Sequence, residues 1–309
     1  MTSISELTER LGRIVPRFAL LSEEPMAKHT SFRIGGPAEL MVFPRNKEEL
    51  RQILLAARDC GVKPRILGCG TNVLAPDAGL RGLVVCTRET LMGLELLDAT
   101  HISAMAGMTL AQTAMFAAQN NLAGLEFAHG IPGSIGGAAF MNAGAYGGEF
   151  KDVAVQTEFL HMDGRTETFE GDAQGFGYRT SVFQKLEGVI VRTEFALQRG
   201  VEADIRARIR ELNEKRRASQ PLDKPSAGST FRRPATGYAA ALIEEAGLKG
   251  FRVGNAAVSE KHAGFVVNLG GATAAEVLSL IEQVRERVYR HSGVELEPEV
   301  RLWDNEGTE

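Results

Sequence analysis

Apolar residues recur along the chain in two rhythms. From Asn46 onward, Leu50, Ile53, Leu54 and Ala57 fall on one helical face. Asn46 with Glu49 gives a capping box, so a helix is expected through Cys60. Strand-like runs Glu39–Phe43 and Arg65–Leu67 flank it, and the second leads into the glycine loop Gly68-Cys69-Gly70-Thr71-Asn72, where an α/β unit places a ligand. Leu83–Cys86, Gly93–Leu97 and His101–Ala106 read as strands and Thr109–Asn120 as an alanine-rich helix. Further strands are expected at Val153–Met162, Arg165–Phe169 and Val189–Leu197, with Asp163-Gly164 as the hairpin turn between the first two. Val201, Ile205, Ile209 and Leu212 stripe an otherwise charged helix, followed by a Pro-bounded loop from Gln220 to Pro234. The remainder reads as helix Tyr238–Ala246, strand Gly264–Asn268, helix Thr273–His291 with a Thr273/Glu276 capping box, and strand Glu299–Trp303.

Charge alters this picture little. Lys and Arg number 35 against 39 Asp and Glu, a formal charge of -4, so no basic excess points to nucleic acid. No run approaches the roughly 18 apolar residues of a membrane helix. Cys60, Cys69 and Cys86 are odd in number and lack C-x-x-C spacing, and Met1–Glu24 holds no apolar core longer than Phe18–Leu21. The expectation is therefore a reducing, cytoplasmic setting with no disulfide framework, no membrane partner and no metal, since the six histidines form no H-E-x-x-H.

Candidate chemistry sits mostly in glycine-rich segments. In Gly68–Asn72 two residues without side chains let backbone amides approach an anion, beside Thr71 and Asn72; a plain tight turn reads equally well. The loop is not a dinucleotide fingerprint, because Val73 stands where the third glycine belongs, and the chain has no G-x-x-x-x-G-K-[ST]. A second tract, Gly124–Gly148, interleaves glycine with small and apolar residues around a single carboxylate, Glu126, and suits a buried loop wrapped round a phosphate-bearing ligand that satisfies its amides, or tight packing alone. Tyr178-Arg179 sets an arginine beside an aromatic. Lys224–Pro234 offers Ser229 after a glycine, followed by Arg232 and Arg233. Glu295, Glu297 and Glu299 alternate, which would place three carboxylates on one strand face.

Taken together, several segments resemble the UDP-N-acetylenolpyruvoylglucosamine reductase family. They are Thr30-Ser-Phe-Arg-Ile-Gly-Gly36, Gly68-Cys-Gly-Thr-Asn-Val-Leu74, Gly130-Ile-Pro-Gly-Ser-Ile-Gly-Gly137, Asn142-Ala-Gly-Ala-Tyr146, Tyr178-Arg-Thr-Ser-Val-Phe183, Ser226-Ala-Gly-Ser-Thr-Phe231, Val258-Ser-Glu-Lys-His262 and Glu299-Val-Arg301. The resemblance implies an α+β fold: a two-part FAD-binding region of the vanillyl-alcohol-oxidase type followed by a smaller α/β substrate-binding domain. The expected division is an N-terminal helical segment over 1–25, FAD-binding subdomains over 26–90 and 91–200, and the substrate-binding domain over 201–309.

It also implies that NADPH reduces a noncovalently held FAD, which passes hydride to the enolpyruvyl group of UDP-N-acetylglucosamine-enolpyruvate to give UDP-N-acetylmuramate, a peptidoglycan precursor. Ser229 matches the proton donor, and Arg179 and Glu299 the groups that stabilise enolate-like charge. Cofactor contacts would fall to Arg33, Gly68, Cys69, Gly70, Thr71, Asn72, Val73, Gly130, Ile131, Pro132, Gly133, Ser134, Gly136, Gly137, Asn142, Gly144 and Ala145. Tyr178, Arg233, Lys261 and His262 would hold the substrate. Two positions depart from the family pattern: Cys69 replaces a small residue such as glycine, and Arg233 replaces the asparagine common before Pro234. No insertion supplies the substrate-closing tyrosine loop of the longer family form, so the chain resembles the shorter one. The expected partner is a small UDP-sugar and the expected state a monomer.

Overall fold

The computed structural model describes residues 3–305, so the expectations placed on 1–2 and 306–309 at the two ends lie outside the described residues. The chain forms two compact units and passes between them at 22/23, 39/40, 69/70, 81/82 and 215/216. Each unit therefore draws on stretches distant in sequence.

The first unit takes the described residues of 1–22 together with 40–69 and 82–215. Helices α1 (Ser3–Ile14) and α2 (Lys47–Asp59) bury Leu7, Leu11, Leu50, Ile53, Leu54 and Ala57 against Leu83 and Val85 of strand Leu80–Cys86. Asn46 caps α2, its side chain accepting the Glu49 amide at 2.9 Å. The expected capping box is not completed: the Glu49 carboxylate instead accepts the Arg45 amide at 2.8 Å and pairs with the Arg45 guanidinium. Strand Arg65–Leu67 runs parallel to Leu80–Cys86, with Leu67 opposite Cys86, in a sheet ordered Arg65–Leu67, Leu80–Cys86, Pro37–Val42, Leu20–Pro25. Strand Leu20–Pro25 falls within the segment expected to be helical.

A five-stranded antiparallel sheet follows, ordered Thr166–Glu170, Ala154–His161, Gly188–Ala196, His101–Met105, Leu94–Leu96. Its core carries the edge-to-face pair Phe150–Phe195, 5.3 Å between ring centres, with Phe159 and Phe183. Helix α3 (Leu110–Gln119) packs there behind the Thr109/Gln112 capping box. The glycine tract, read as loop, contains a short helix, α4 (Ile135–Met141), whose Ile135, Ala138 and Ala139 are buried. Helix α5 (Glu202–Ser219) buries the expected Ile205, Ile209 and Leu212.

The second unit holds 23–39, 70–81 and the described residues from 216 onward. Its antiparallel sheet is ordered Ser226–Ser229, Phe265–Asn268, Ala256–Val258, Arg252–Val253. The expected loop over 220–234 thus contains an edge strand. Helices α6 (Ala239–Glu245) and α7 (Ala274–Ser292) cover the core, α7 through Val277, Ile281, Val284 and Val288 against Phe32, Leu74, Phe231 and Ile243. The Thr273/Glu276 box starts α7, and the Asp77 carboxylate accepts two further amides of its first turn, Ala274 at 2.7 Å and Ala275 at 3.0 Å. Strand Arg301–Leu302 lies parallel to Val73–Leu74. Glu295, Glu297 and Glu299 precede that strand instead of forming one: Glu295 pairs with Arg285 on α7, the Glu297 carbonyl accepts the Arg232 amide, and Glu299 alone of the three is half-buried. No described helix is long and apolar enough to cross a membrane.

Candidate active site

In the first unit the start of one glycine loop meets the second glycine tract. A Cβ on Gly68 would lie 2.3 Å from Ser134 Oγ, so this approach requires glycine. Ser134 is buried, and its hydroxyl caps α4 by accepting the Gly137 amide at 3.3 Å. The tract was expected either to leave its amides to a ligand or to pack tightly on its own. Several of its amides are bonded within the protein: Ile131 to the Ala128 carbonyl, Ile135 to Met108 and Gly136 to Ala106. The reason is that Gly136 packs directly on Ala106, its would-be Cβ 3.1 Å from the alanine methyl, which brings the backbones into register. Burial pushes the Cys69 thiol up, opposed by Arg88 and by a hydrogen bond with Ser134, and pushes Cys86 to about 11.

Downstream, Asn142 is 1% exposed and left-handed at φ 42°. Its Nδ2 donates to Glu149 Oε2 at 3.0 Å and to the Gly177 carbonyl at 2.9 Å, and its Oδ1 accepts the Lys151 amide at 3.0 Å. That ties the end of α4 to the segment carrying Tyr178 and Arg179. Ser181 Oγ and Gln184 Nε2 both donate to the Phe140 carbonyl at 2.8 Å, and Gln184 also reaches the Arg179 carbonyl at 3.1 Å. Arg179 Nη2 donates to the Gly144 carbonyl at 3.3 Å, and its guanidinium lies 5.2 Å from the centre of the Tyr178 ring. Ser134, Gly136, Gly137, Asn142, Gly144, Ala145, Tyr178 and Arg179 are thereby joined through α4 and its flanks.

In the second unit the end of the first glycine loop meets the other candidates. A Cβ on Gly70, whose φ is +61°, would lie 2.1 Å from the His29 carbonyl oxygen. The Gly70 carbonyl accepts the Ser31 amide at 3.0 Å, and Ser31 Oγ donates to the Ser226 carbonyl at 2.6 Å. Asn72 Nδ2 donates to the Glu299 carbonyl at 3.1 Å, while the Glu299 amide donates to the Thr230 carbonyl at 2.8 Å. Ser229, next to Thr230, ends its strand exposed after a break in register that contains Gly228. The structure thus gathers Asn72, Val73, Ser229 and Glu299 within a few backbone bonds.

Arg33 lines a cleft of about 420 Å³ with Lys224, Asn268 and Gly271. Asn268 is buried and fixes that wall, its Nδ2 donating to the Phe32 carbonyl at 3.0 Å. Arg233 stacks its guanidinium over Tyr238 at 4.2 Å. The Lys261 ammonium donates to the Arg217 carbonyl. Burial holds His262 below the usual histidine range, and its Nδ1 accepts the Gly264 amide at 3.2 Å, as the neutral ring can. Sequence reading missed Ser31, Gln184 and Asn268. Only Ser31 lay within a motif already singled out.

Two observations fit these segments to a flavin dinucleotide. Neither Gly68–Val73 nor Gly130–Ala145 carries a carboxylate, and both supply hydroxyls and glycine backbone suited to a diphosphate. Arg33, Tyr146 and Arg179, all on candidate segments, hold φ of 54–55°, a costly conformation for such side chains that concentrates at ligand sites, although Glu23 and Glu89, off these segments, share it. Among the described residues no group of three or more His, Cys, Asp or Glu side chains is arranged to hold a metal.

A family model described as an FAD binding domain matches residues 38–170. The chain is an FAD-dependent oxidoreductase. A second model, the C-terminal domain of UDP-N-acetylenolpyruvoylglucosamine reductase, matches residues 220–303. UDP-N-acetylenolpyruvoylglucosamine reductase from Syntrophomonas wolfei is 47% identical over 90% of this chain and 93% of its own length, and that from Caldanaerobacter subterraneus 43% identical over 96% and 97%. The crystal structure of the reductase from Thermus caldophilus superposes with a TM-score of 0.80 at 33% identity, covering 92% of this chain and 98% of that one. The chain belongs to the UDP-N-acetylenolpyruvoylglucosamine reductase family.

Proposed function

We propose that the chain reduces the enolpyruvyl group of UDP-N-acetylglucosamine-enolpyruvate to UDP-N-acetylmuramate, a peptidoglycan precursor, with NADPH as the electron source. In this reading Arg33, Gly68–Val73, Gly130–Gly137, Asn142, Gly144 and Ala145 hold FAD, and the C-terminal part of the chain binds the nucleotide sugar. Held by these residues, FAD would supply hydride transfer from NADPH to the enolpyruvyl carbon distal to the carboxylate. Ser229 Oγ delivers a proton to the neighbouring carbon, completing addition across the double bond. A serine hydroxyl is a weak acid in water, but it suffices against a strongly basic enolate when held in place. The Arg179 guanidinium and a protonated Glu299 carboxyl donate to the negative charge that develops at the carboxylate end. Tyr178, Arg233, Lys261 and His262 hold the substrate, with Arg233 suited to the diphosphate through its forked donors. The enzyme works in the cytoplasm as a monomer on a small molecule.

The observation that carries the reading is the bond from the Glu299 amide to the Thr230 carbonyl, 2.8 Å, which sets the carboxylate-bearing segment beside the strand ending in Ser229. Its test is Ser229→Ala followed anaerobically by stopped flow. NADPH should still bleach the flavin, while reoxidation by the enolpyruvyl substrate slows by roughly 10²–10⁴-fold, the usual range for a lost general acid. Unchanged reoxidation would remove Ser229 from the proton-donor role.

A further inference from the structure

Glu299 is pinned at both of its backbone ends. Its N–H donates to the Thr230 carbonyl at 2.8 Å, and its C=O accepts Asn72 Nδ2 at 3.1 Å. Thr230 is itself fixed, since its amide reaches the Gly264 carbonyl at 2.8 Å and its buried Oγ1 accepts the Val266 amide at 3.0 Å. On the other side, the Asn72 carbonyl accepts the Arg301 amide at 3.0 Å, and Arg301 and Leu302 run in parallel register with Val73 and Leu74. The Asn72 carboxamide clamps the Glu299 peptide between these supports.

From this we infer that Asn72 is a positioning residue for Glu299: it couples the end of the glycine loop to the placement of the carboxylate relative to Ser229. The inference rests on the proposed role of Glu299. Releasing the Glu299 carbonyl frees the peptide plane between Glu299 and Val300 to rotate, and a carboxyl that must donate to developing negative charge loses effect with small displacements. Asn72→Asp tests the bond with least change of shape, because the carboxylate keeps the outline of the carboxamide but has no N–H to donate.

The experiment is a double-mutant cycle on substrate-driven flavin reoxidation in the FAD-loaded protein, using Asn72→Asp, Asn72→Ala, Glu299→Ala, which removes the donor altogether, and the two combinations. Each Asn72 variant is expected to slow reoxidation by roughly tenfold to a hundredfold on the native background. On the Glu299→Ala background the slowing by each should shrink at least about fivefold, because Asn72 then loses the carboxyl it positions and keeps only its place in the flavin-holding loop. Full additivity, or an unchanged rate in both single Asn72 variants, would overturn the inference. So would failure of both Asn72 variants to fold, which would make Asn72 structural. If Glu299→Ala alone leaves the rate unchanged, the proposed role of Glu299 itself fails, and the cycle separates that outcome from failure of the clamp.

Discussion

Asn142→Ala removes the carboxamide that holds three segments of the first unit together. The side chain is 1% exposed and makes three hydrogen bonds, to Glu149, the Gly177 carbonyl and the Lys151 amide, between 2.9 and 3.0 Å. At a net value of about 1 kcal/mol each, their loss costs roughly 3 kcal/mol. Alanine must also hold φ 42°, which adds about 1 kcal/mol that asparagine largely escapes. The expected total, roughly 4 kcal/mol, is a large share of the 5–15 kcal/mol typical of a whole protein. Asn142→Gly loses the same bonds without the left-handed penalty and should fall about 1 kcal/mol short of the alanine variant. Urea unfolding at a fixed free FAD concentration measures both, with the slope of the transition checked for constancy. A loss below about 1 kcal/mol for alanine, or glycine more damaging than alanine, would refute the reasoning.

Gly70→Ala should cost roughly 3 kcal/mol, combining a left-handed alanine with a methyl 2.1 Å from the His29 carbonyl oxygen, and the melting temperature of the variant reads this directly; a shift under 2 °C would show that the loop yields freely. Cys86, raised by burial to about 11, stays a neutral thiol where the unfolded chain already ionises, so its contribution is full below the unfolded value near 9 and is lost as pH rises toward 11. Stability of the native chain should therefore fall across pH 9 to 11 by roughly 2 kcal/mol more than that of Cys86→Ala, and parallel curves for the two proteins would contradict this.

Legibility followed the range of the interaction. Helices α2 and α7 were readable because cap and stripe lie within one segment: Asn46 before Leu50 and Ile53, Thr273 before Val277 and Ile281. Helix α4 was not, since Gly136 and Gly137 argue against a helix locally, and it is held by the Ser134 cap and by packing on Ala106. Strand Ser226–Ser229 was hidden in the same way, because its pairing with Phe265–Asn268 is interrupted by a shift in register around Gly228. The acidic alternation before Val300 misled for the opposite reason: a period of two suggested a strand, but Pro298 interrupts it and Arg232 and Thr230 take up its backbone groups.

The candidate site was legible as a set of motifs but not as an arrangement. Asn72 and Glu299 are 227 positions apart, and no local pattern announces their bond. The left-handed backbone at Arg33, Tyr146 and Arg179 was equally silent, because nothing in those side chains favours it.

The pair of half-reactions can be followed in the visible spectrum of the FAD-loaded protein under anaerobic conditions. NADPH is added first and UDP-N-acetylglucosamine-enolpyruvate second. The flavin bands should bleach with the first addition and return with the second, one enolpyruvyl group consumed per flavin reoxidised. Bleaching without return would point to a different oxidant, and a chain that takes up no FAD would contradict the account at its base.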